Sequence, residues 1–166
     1  GYGAFFSAGK DFPKGDIFVG YFDNGLFDNG TYYGLNKVYH KKKFTYEGEF
    51  KNDAPHGMGT LKFEDGETLK GEFKNSKLKD GHSGDWEHSY LIQGEVILTD
   101  KSKYIGSLKD GKPDGMGVYF AADGTVAEGL WKKNEFIKGK YFTDKTEYEN
   151  YVLNKNKNNK SKSSLK

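Results

Sequence analysis

The chain has 166 residues, of which 34% are hydrophobic and 30% charged, and a formal net charge of +2. So little apolar material excludes a thick two-layer core, and the absence of cysteine excludes disulfides and thiolate metal sites and points to a reducing compartment, the cytoplasm. Every basic residue is lysine, and once the five lysines of 155–166 are set aside 21 lysines face 24 acids, so neither the arginine forks nor the basic face of a nucleic-acid reader is present.

Along the chain, residues 1–43 read as degenerate repeat. Phe18–Phe22 and Tyr32–Gly34 look like first strands of units whose spacing has slipped, with turns at Asn24-Gly25 and Asn29-Gly30. The clear repeat starts at Tyr46. The stretch Tyr46–Gly81 recurs 58 residues later as Tyr104–Gly139, with a third of the positions identical and half of those glycine. Inside it a shorter beat of 23 residues carries Gly48 to Gly71 and Gly94, and Gly106 to Gly129. A fixed period in this range marks stacked supersecondary units.

Each unit predicts strand, turn, strand, turn. Tyr46, Gly48 and Phe50 share one face and Glu47, Glu49 and Lys51 the other, which is the period-two alternation of a half-buried strand. Asn52–Pro55 reads as a polar turn, and Gly57, Gly59, Leu61 and Phe63 share the face of the next strand. Asp65-Gly66 then supplies a tight reversal, and the same chemistry recurs at Asp80-Gly81, Asp110-Gly111, Asp114-Gly115 and Asp123-Gly124. Between the two blocks, Trp86–Leu98 alternates with Trp86, His88, Tyr90, Ile92, Gly94, Val96 and Leu98 on one side. With 13 Phe, 12 Tyr and 23 Gly, the composition predicts rings lying over bare backbone in a thin sheet. Asp144–Glu147 has capping-box spacing before Tyr148, Tyr151 and Val152, which predicts a short helix over 145–154 covering the last strand edge. Residues 155–166, almost wholly Lys, Asn and Ser, are expected to be disordered.

On these residues the chain resembles the MORN family, the "membrane occupation and recognition nexus" repeats. The family pattern is Tyr-x-Gly-x-aromatic, a polar turn, Gly-x-Gly and Asp-Gly. Tyr46–Phe50, His56–Gly59 and Asp65-Gly66 match it, as do Tyr104–Gly106, Asp114–Gly117 and Asp123-Gly124; Leu69–Phe73 and Ala127–Trp131 match the first half only. The likeness is strong over 44–139, weaker over 15–43 and absent beyond 140. It implies an all-β, elongated, single-layer antiparallel sheet of successive hairpins, twisted into a trough with aromatics along the grooved face. It also implies a scaffold: members bind partner proteins in the trough or self-associate, lipid binding is disputed, and some repeats accompany enzyme domains.

The first candidate site is therefore a partner groove formed by Tyr46, Phe50, Phe73, Trp86, Tyr104 and Trp131. Any one of these rings has a packing role against glycine, but a single-layer sheet leaves apolar surface open for a partner helix or peptide. Trp86 and Trp131 are the anchor candidates. A second candidate is the run Lys41, Lys42 and Lys43 beside His40, which would draw an anionic membrane at about 1 kcal/mol per lysine; three lysines fall short of a full cluster. His82, Asp85, Glu87 and His88 are the nearest thing to metal ligands, but alternation separates Glu87 from His88, so no metal is expected. His56 aligns with Asp114, a swap that a turn hydrogen bond survives and a catalytic role does not. No nucleophile elbow or phosphate loop appears. The expectation is a non-enzymatic scaffold without cofactor, binding a protein partner or a second copy of itself, in the cytoplasm, with association to a membrane or the cytoskeleton as the further option. The alternatives are a peripheral tether on anionic lipid and an accessory module of a larger enzyme.

Overall fold

The computed structural model describes residues 1–37, 39–75, 86 and 89–164. It is mostly β: one open sheet of eleven antiparallel strands, followed by one helix. The strands are β1 (Tyr2–Phe6), β2 (Ile17–Asp23), β3 (Leu26–Gly34), β4 (Phe44–Lys51), β5 (Ala54–Phe63), β6 (Thr68–Asn75), β7 (Ser89–Ile97), β8 (Lys103–Lys109), β9 (Lys112–Phe120), β10 (Val126–Lys132) and β11 (Glu135–Phe142). Their order in the sheet is their order in the chain, so every strand pairs with its sequence neighbours and no connection crosses over.

The register shows what the glycines do. Gly3, Gly20, Gly30, Gly48, Gly59, Gly71, Gly94, Gly106, Gly117, Gly129 and Gly139 are paired in succession, one from each strand, in an unbroken line across the whole sheet. From Gly20 to Gly139 a Cβ on this line has no room. On Gly48, whose φ is +154°, it would lie 2.4 Å from the Met58 carbonyl oxygen and 2.5 Å from the Cα of Gly59. The space above the line is filled by rings: the Tyr46 hydroxyl lies 2.3 Å from where a Gly59 Cβ would stand, and the Tyr104 hydroxyl 2.1 Å from that of Gly117.

Two apolar rows flank the glycines on the same face. One runs Phe5, Phe18, Tyr32, Tyr46, Leu61, Leu69, Val96, Tyr104, Tyr119, Ala127 across the strands. The other holds Phe27, Phe50, Phe73, Leu91, Leu108 and Trp131, all buried. On the opposite face the cross-strand row Glu47, Thr60, Lys70, Glu95 is polar. One sheet thus has an aromatic side and a charged side, because strand side chains alternate.

Several expectations need correction. Asn29-Gly30 is not a turn but lies within β3, where Gly30 belongs to the glycine line; the reversal is made by Asn24-Gly25 alone. Asp114-Gly115 lies within β9, the turn being Asp110-Gly111, and Ala54 and Pro55 already belong to β5. In both cases the dipeptide is turn-like, but a glycine that lets backbones approach and a glycine that reverses the chain look alike in sequence. The Trp86–Leu98 alternation is broken by a register shift where Glu72 pairs with Gln93 but Phe73 with Leu91, so Leu91 points into the core in place of Tyr90 and Ile92. Asp80-Gly81 lies outside the described residues.

The helix α1 spans Lys145–Ser164 and so continues ten residues past the expected end, through most of the stretch expected to be disordered. Asp144 caps it, accepting from the Glu147 amide at 2.8 Å, while Glu147 accepts from the Thr143 amide and hydroxyl. Tyr148 packs edge-on against Phe120 and Phe142, and Tyr151 against Phe142. Beyond these two turns nothing is buried. Residues 155–164 contain neither Gly nor Pro, and a nucleated helix propagates one hydrogen bond per residue without needing burial.

Candidate functional site

The two clear repeats build the same local frame. The Tyr46 hydroxyl donates to the Glu49 carbonyl at 2.9 Å, and 58 residues on the Tyr104 hydroxyl donates to the Ser107 carbonyl at 2.8 Å. Phe73 stands edge-on to Tyr46 with centroids 5.3 Å apart, and Trp131 stands edge-on to Tyr104 at 5.7 Å. Burial raises the pKa of both hydroxyls, that of Tyr104 to about 12, so both stay protonated donors. His56 and Asp114 also do one job with different groups: Nδ1 of His56 accepts from the Asn75 amide at 3.2 Å, and Asp114 accepts from the Lys133 amide at 3.3 Å.

The two halves of the trough differ in what lies over this frame. In the first half the chain fills its own groove with Trp86. Its ring stacks on Tyr39 at 5.1 Å, tilts against Tyr32 at 4.5 Å, and touches Phe44, Phe50 and Tyr46. Its indole N–H donates to the carbonyl of Asp53, the last residue of the β4–β5 turn, at 2.7 Å in a buried position. Tyr46, Phe50, Phe73 and Trp86 are therefore all buried, the indole only 3% exposed. All six groove residues named from sequence lie in the buried core, Tyr104 and Trp131 included.

Among the described residues the second half has no such plug. A cavity of about 450 Å³ lies over it, walled by Leu69, Val96, Leu98, Tyr104, Leu108, Tyr119 and Trp131, with Gly111, Pro113 and Asn134 at the turn end and Glu67 and Lys112 supplying charge. It opens where the row of large rings gives way to Leu69 and Val96, both half-buried. Trp131 is held in place by donating its own indole N–H to the Gly117 carbonyl at 3.2 Å. Of the six named residues, Tyr104 and Trp131 meet here. The aliphatic walls were not singled out from sequence. A signal existed: aligning the repeats sets Leu108 against Phe50, and a smaller side chain in the later copy leaves volume.

The lysine candidates are placed differently from a free basic run. Lys42 Nζ lies 2.8 Å from Asp65 and 2.9 Å from Glu67 and 4.6 Å from the centroid of the Phe63 ring. The two carboxylates hold its ammonium above its usual range. His40 sits edge-on to Phe44 and Phe63, and burial, reinforced by Lys42, lowers it to about 4, so it is neutral at pH 7. Among the described residues two acids are buried, Asp16 and Asp53, and both accept hydrogen bonds that hold neighbouring strands and loops. Asp16 accepts from the Tyr32 hydroxyl at 2.9 Å and the Leu35 amide at 2.8 Å; Asp53 accepts from the Phe27 amide at 2.7 Å, and burial raises its pKa. Among the described residues no group of three His, Cys, Asp or Glu is placed to hold a metal. His82, Asp85, Glu87 and His88 lie outside those residues.

Fold and frame together define a repeat sheet of hairpins with one apolar, largely aromatic face. A family model, the MORN repeat, matches residues 46–68 and again 104–126. The likeness read from the residues is thus found independently at the two clear copies, and it supports a repeat-built interaction or membrane-associated module. No curated protein matches the chain. Among the described residues no helix is long and apolar enough to cross a membrane.

Proposed function

We propose that the protein is a non-catalytic binding module that seats an apolar segment of a partner protein in the second half of its trough. The observation that carries this reading is the cavity beside Tyr104 and Trp131, in the half that, among the described residues, the chain does not fill itself. Its lining is predominantly apolar, with a few polar groups at the turn end, which is the make-up of a recognition pocket. Trp131 is a rigid anchor because Tyr104 and the Gly117 carbonyl fix both ring and N–H.

The test is affinity capture with the full chain and three variants. Val96→Trp fills the cavity, Trp131→Ala removes its wall, and Met116→Ala alters an exposed side chain elsewhere (62% exposed). Proteins retained by the wild type and by Met116→Ala should be lost with both cavity variants. Capture that survives Val96→Trp places binding elsewhere and refutes the reading.

A further inference from the structure

The internal repeat makes the first half of the trough a worked example of what the second half holds. Trp86 sits over Tyr46 and Phe50 and donates to the Asp53 carbonyl; the counterparts of these three residues are Tyr104, Leu108 and Gly111, and all three line the open cavity. Gly111 closes the β8–β9 turn as Asp53 closes the β4–β5 turn. The strand pairing extends the match, since Tyr32 pairs with Tyr46 and Val96 pairs with Tyr104. Tyr32 gives way to the smaller Val96 and Phe50 to the smaller Leu108, while Phe73 gives way to the larger Trp131. The tyrosine, its apolar neighbour and the turn carbonyl that meet the Trp86 indole are therefore repeated, the Tyr39 and Phe44 contacts are not, and among the described residues no second Trp86 stands over them.

We propose that this cavity is an indole pocket: a tryptophan side chain of a partner protein enters it against the wall formed by Tyr104, Leu108 and Trp131 and donates its N–H to the Gly111 carbonyl. The inference rests on the reading of the trough as a binding site and adds the chemistry of the anchor. The chain's own tryptophans are both buried, Trp86 at 3% and Trp131 at 8% exposure, so a second copy has no free indole to offer and the anchor belongs to a different protein. Flat edge-on contacts with Tyr104 and Trp131 favour an aromatic over an aliphatic anchor. The carbonyl favours an aromatic that carries a donor.

The test uses the full chain labelled with 15N and N-acetyl-tryptophanamide as probe. The chain has only two tryptophans, so its indole N–H signals are assigned with Trp86→Phe. The Trp131 signal should shift in a saturable manner with a Kd on the order of 1 mM or tighter, while the Trp86 signal stays put. N-acetyl-1-methyltryptophanamide, which lacks the donor, should bind about fivefold more weakly, and N-acetyl-leucinamide about tenfold. Val96→Trp should abolish the shift with the Trp86 signal unchanged, which shows that the sheet remains folded. Equal binding of the tryptophan and leucine probes overturns the indole assignment while leaving a general apolar site standing. No shift at Trp131 with any probe also overturns it, and the capture experiment then decides separately whether the trough binds protein at all.

Discussion

Adding one methyl group to the glycine line tests the account of this fold most directly. At Gly48 an alanine Cβ would meet the Met58 carbonyl at 2.4 Å and the Gly59 Cα at 2.5 Å, both main-chain atoms of the paired strand that cannot rotate away. The φ of +154° adds backbone strain of about 1–3 kcal/mol for a side chain, and overpacking a close contact adds about 1–3 kcal/mol. Gly48→Ala should therefore cost about 2–6 kcal/mol, a large part of the roughly 5–15 kcal/mol that holds a domain together. Two neighbours in the same repeat calibrate it. At Gly59 the clash is with the Tyr46 ring and no positive φ is involved, so Gly59→Ala should cost about 1–3 kcal/mol. At Gly66 φ is +95° but nothing lies within 4 Å, so Gly66→Ala should cost only the local strain, about 1–2 kcal/mol. Equilibrium urea unfolding followed by circular dichroism ranks the three. If Gly48→Ala is no more destabilised than Gly66→Ala, close backbone approach is not what the line is for.

Removing the plug from the first half should be costly in a different way: Trp86→Ala empties a space walled by Tyr32, Tyr39, Phe44 and Phe50 and should lower stability by about 3–5 kcal/mol, with a loss below 1 kcal/mol showing that the ring is not part of the core. His40 predicts a pH dependence. Its folded pKa of about 4 lies below the ordinary 6.5, so between these values the unfolded chain takes up a proton that the folded chain refuses; stability is unaffected above pH 6.5 and falls as pH drops toward 4, by on the order of 3 kcal/mol. Wild type and His40→Gln compared by urea midpoints from pH 7 to pH 4 should converge on acidification, and parallel curves would contradict the buried-neutral account. At the helix, Asp144→Ala removes the cap on the Glu147 amide and should cost about 1 kcal/mol. Because α1 is largely exposed, that cost should appear as faster hydrogen exchange confined to 145–164, and unchanged exchange there would show that the cap does not hold the helix.

The glycine beat was legible where the spacing is regular. Gly48, Gly71, Gly94, Gly106 and Gly129 announce themselves by their period, while Gly3, Gly20, Gly30 and Gly139 join the same line from segments of slipped spacing. Only pairing shows that they align, because hydrogen-bond register and not sequence distance decides which residues face each other. The same limit explains Asn29-Gly30 and Asp114-Gly115, whose composition says turn and whose place is inside β3 and β9. Tyr104 and Trp131 could be named from the repeat, but Leu69, Val96 and Tyr119 come from three other strands and become one wall only when the sheet is assembled.

Alternation of apolar and polar side chains, glycine at a fixed period and turn chemistry are local properties, and they were enough to determine from sequence alone an all-β sheet of hairpins with an aromatic face. What covers that face is a long-range matter. Trp86 reaches back 33 residues to the Asp53 carbonyl and closes the first half, and no local pattern reports that contact. Among the described residues the second half keeps a cavity where a valine and a leucine stand in place of a tyrosine and a phenylalanine, and such a volume difference becomes a pocket only once the strands are side by side.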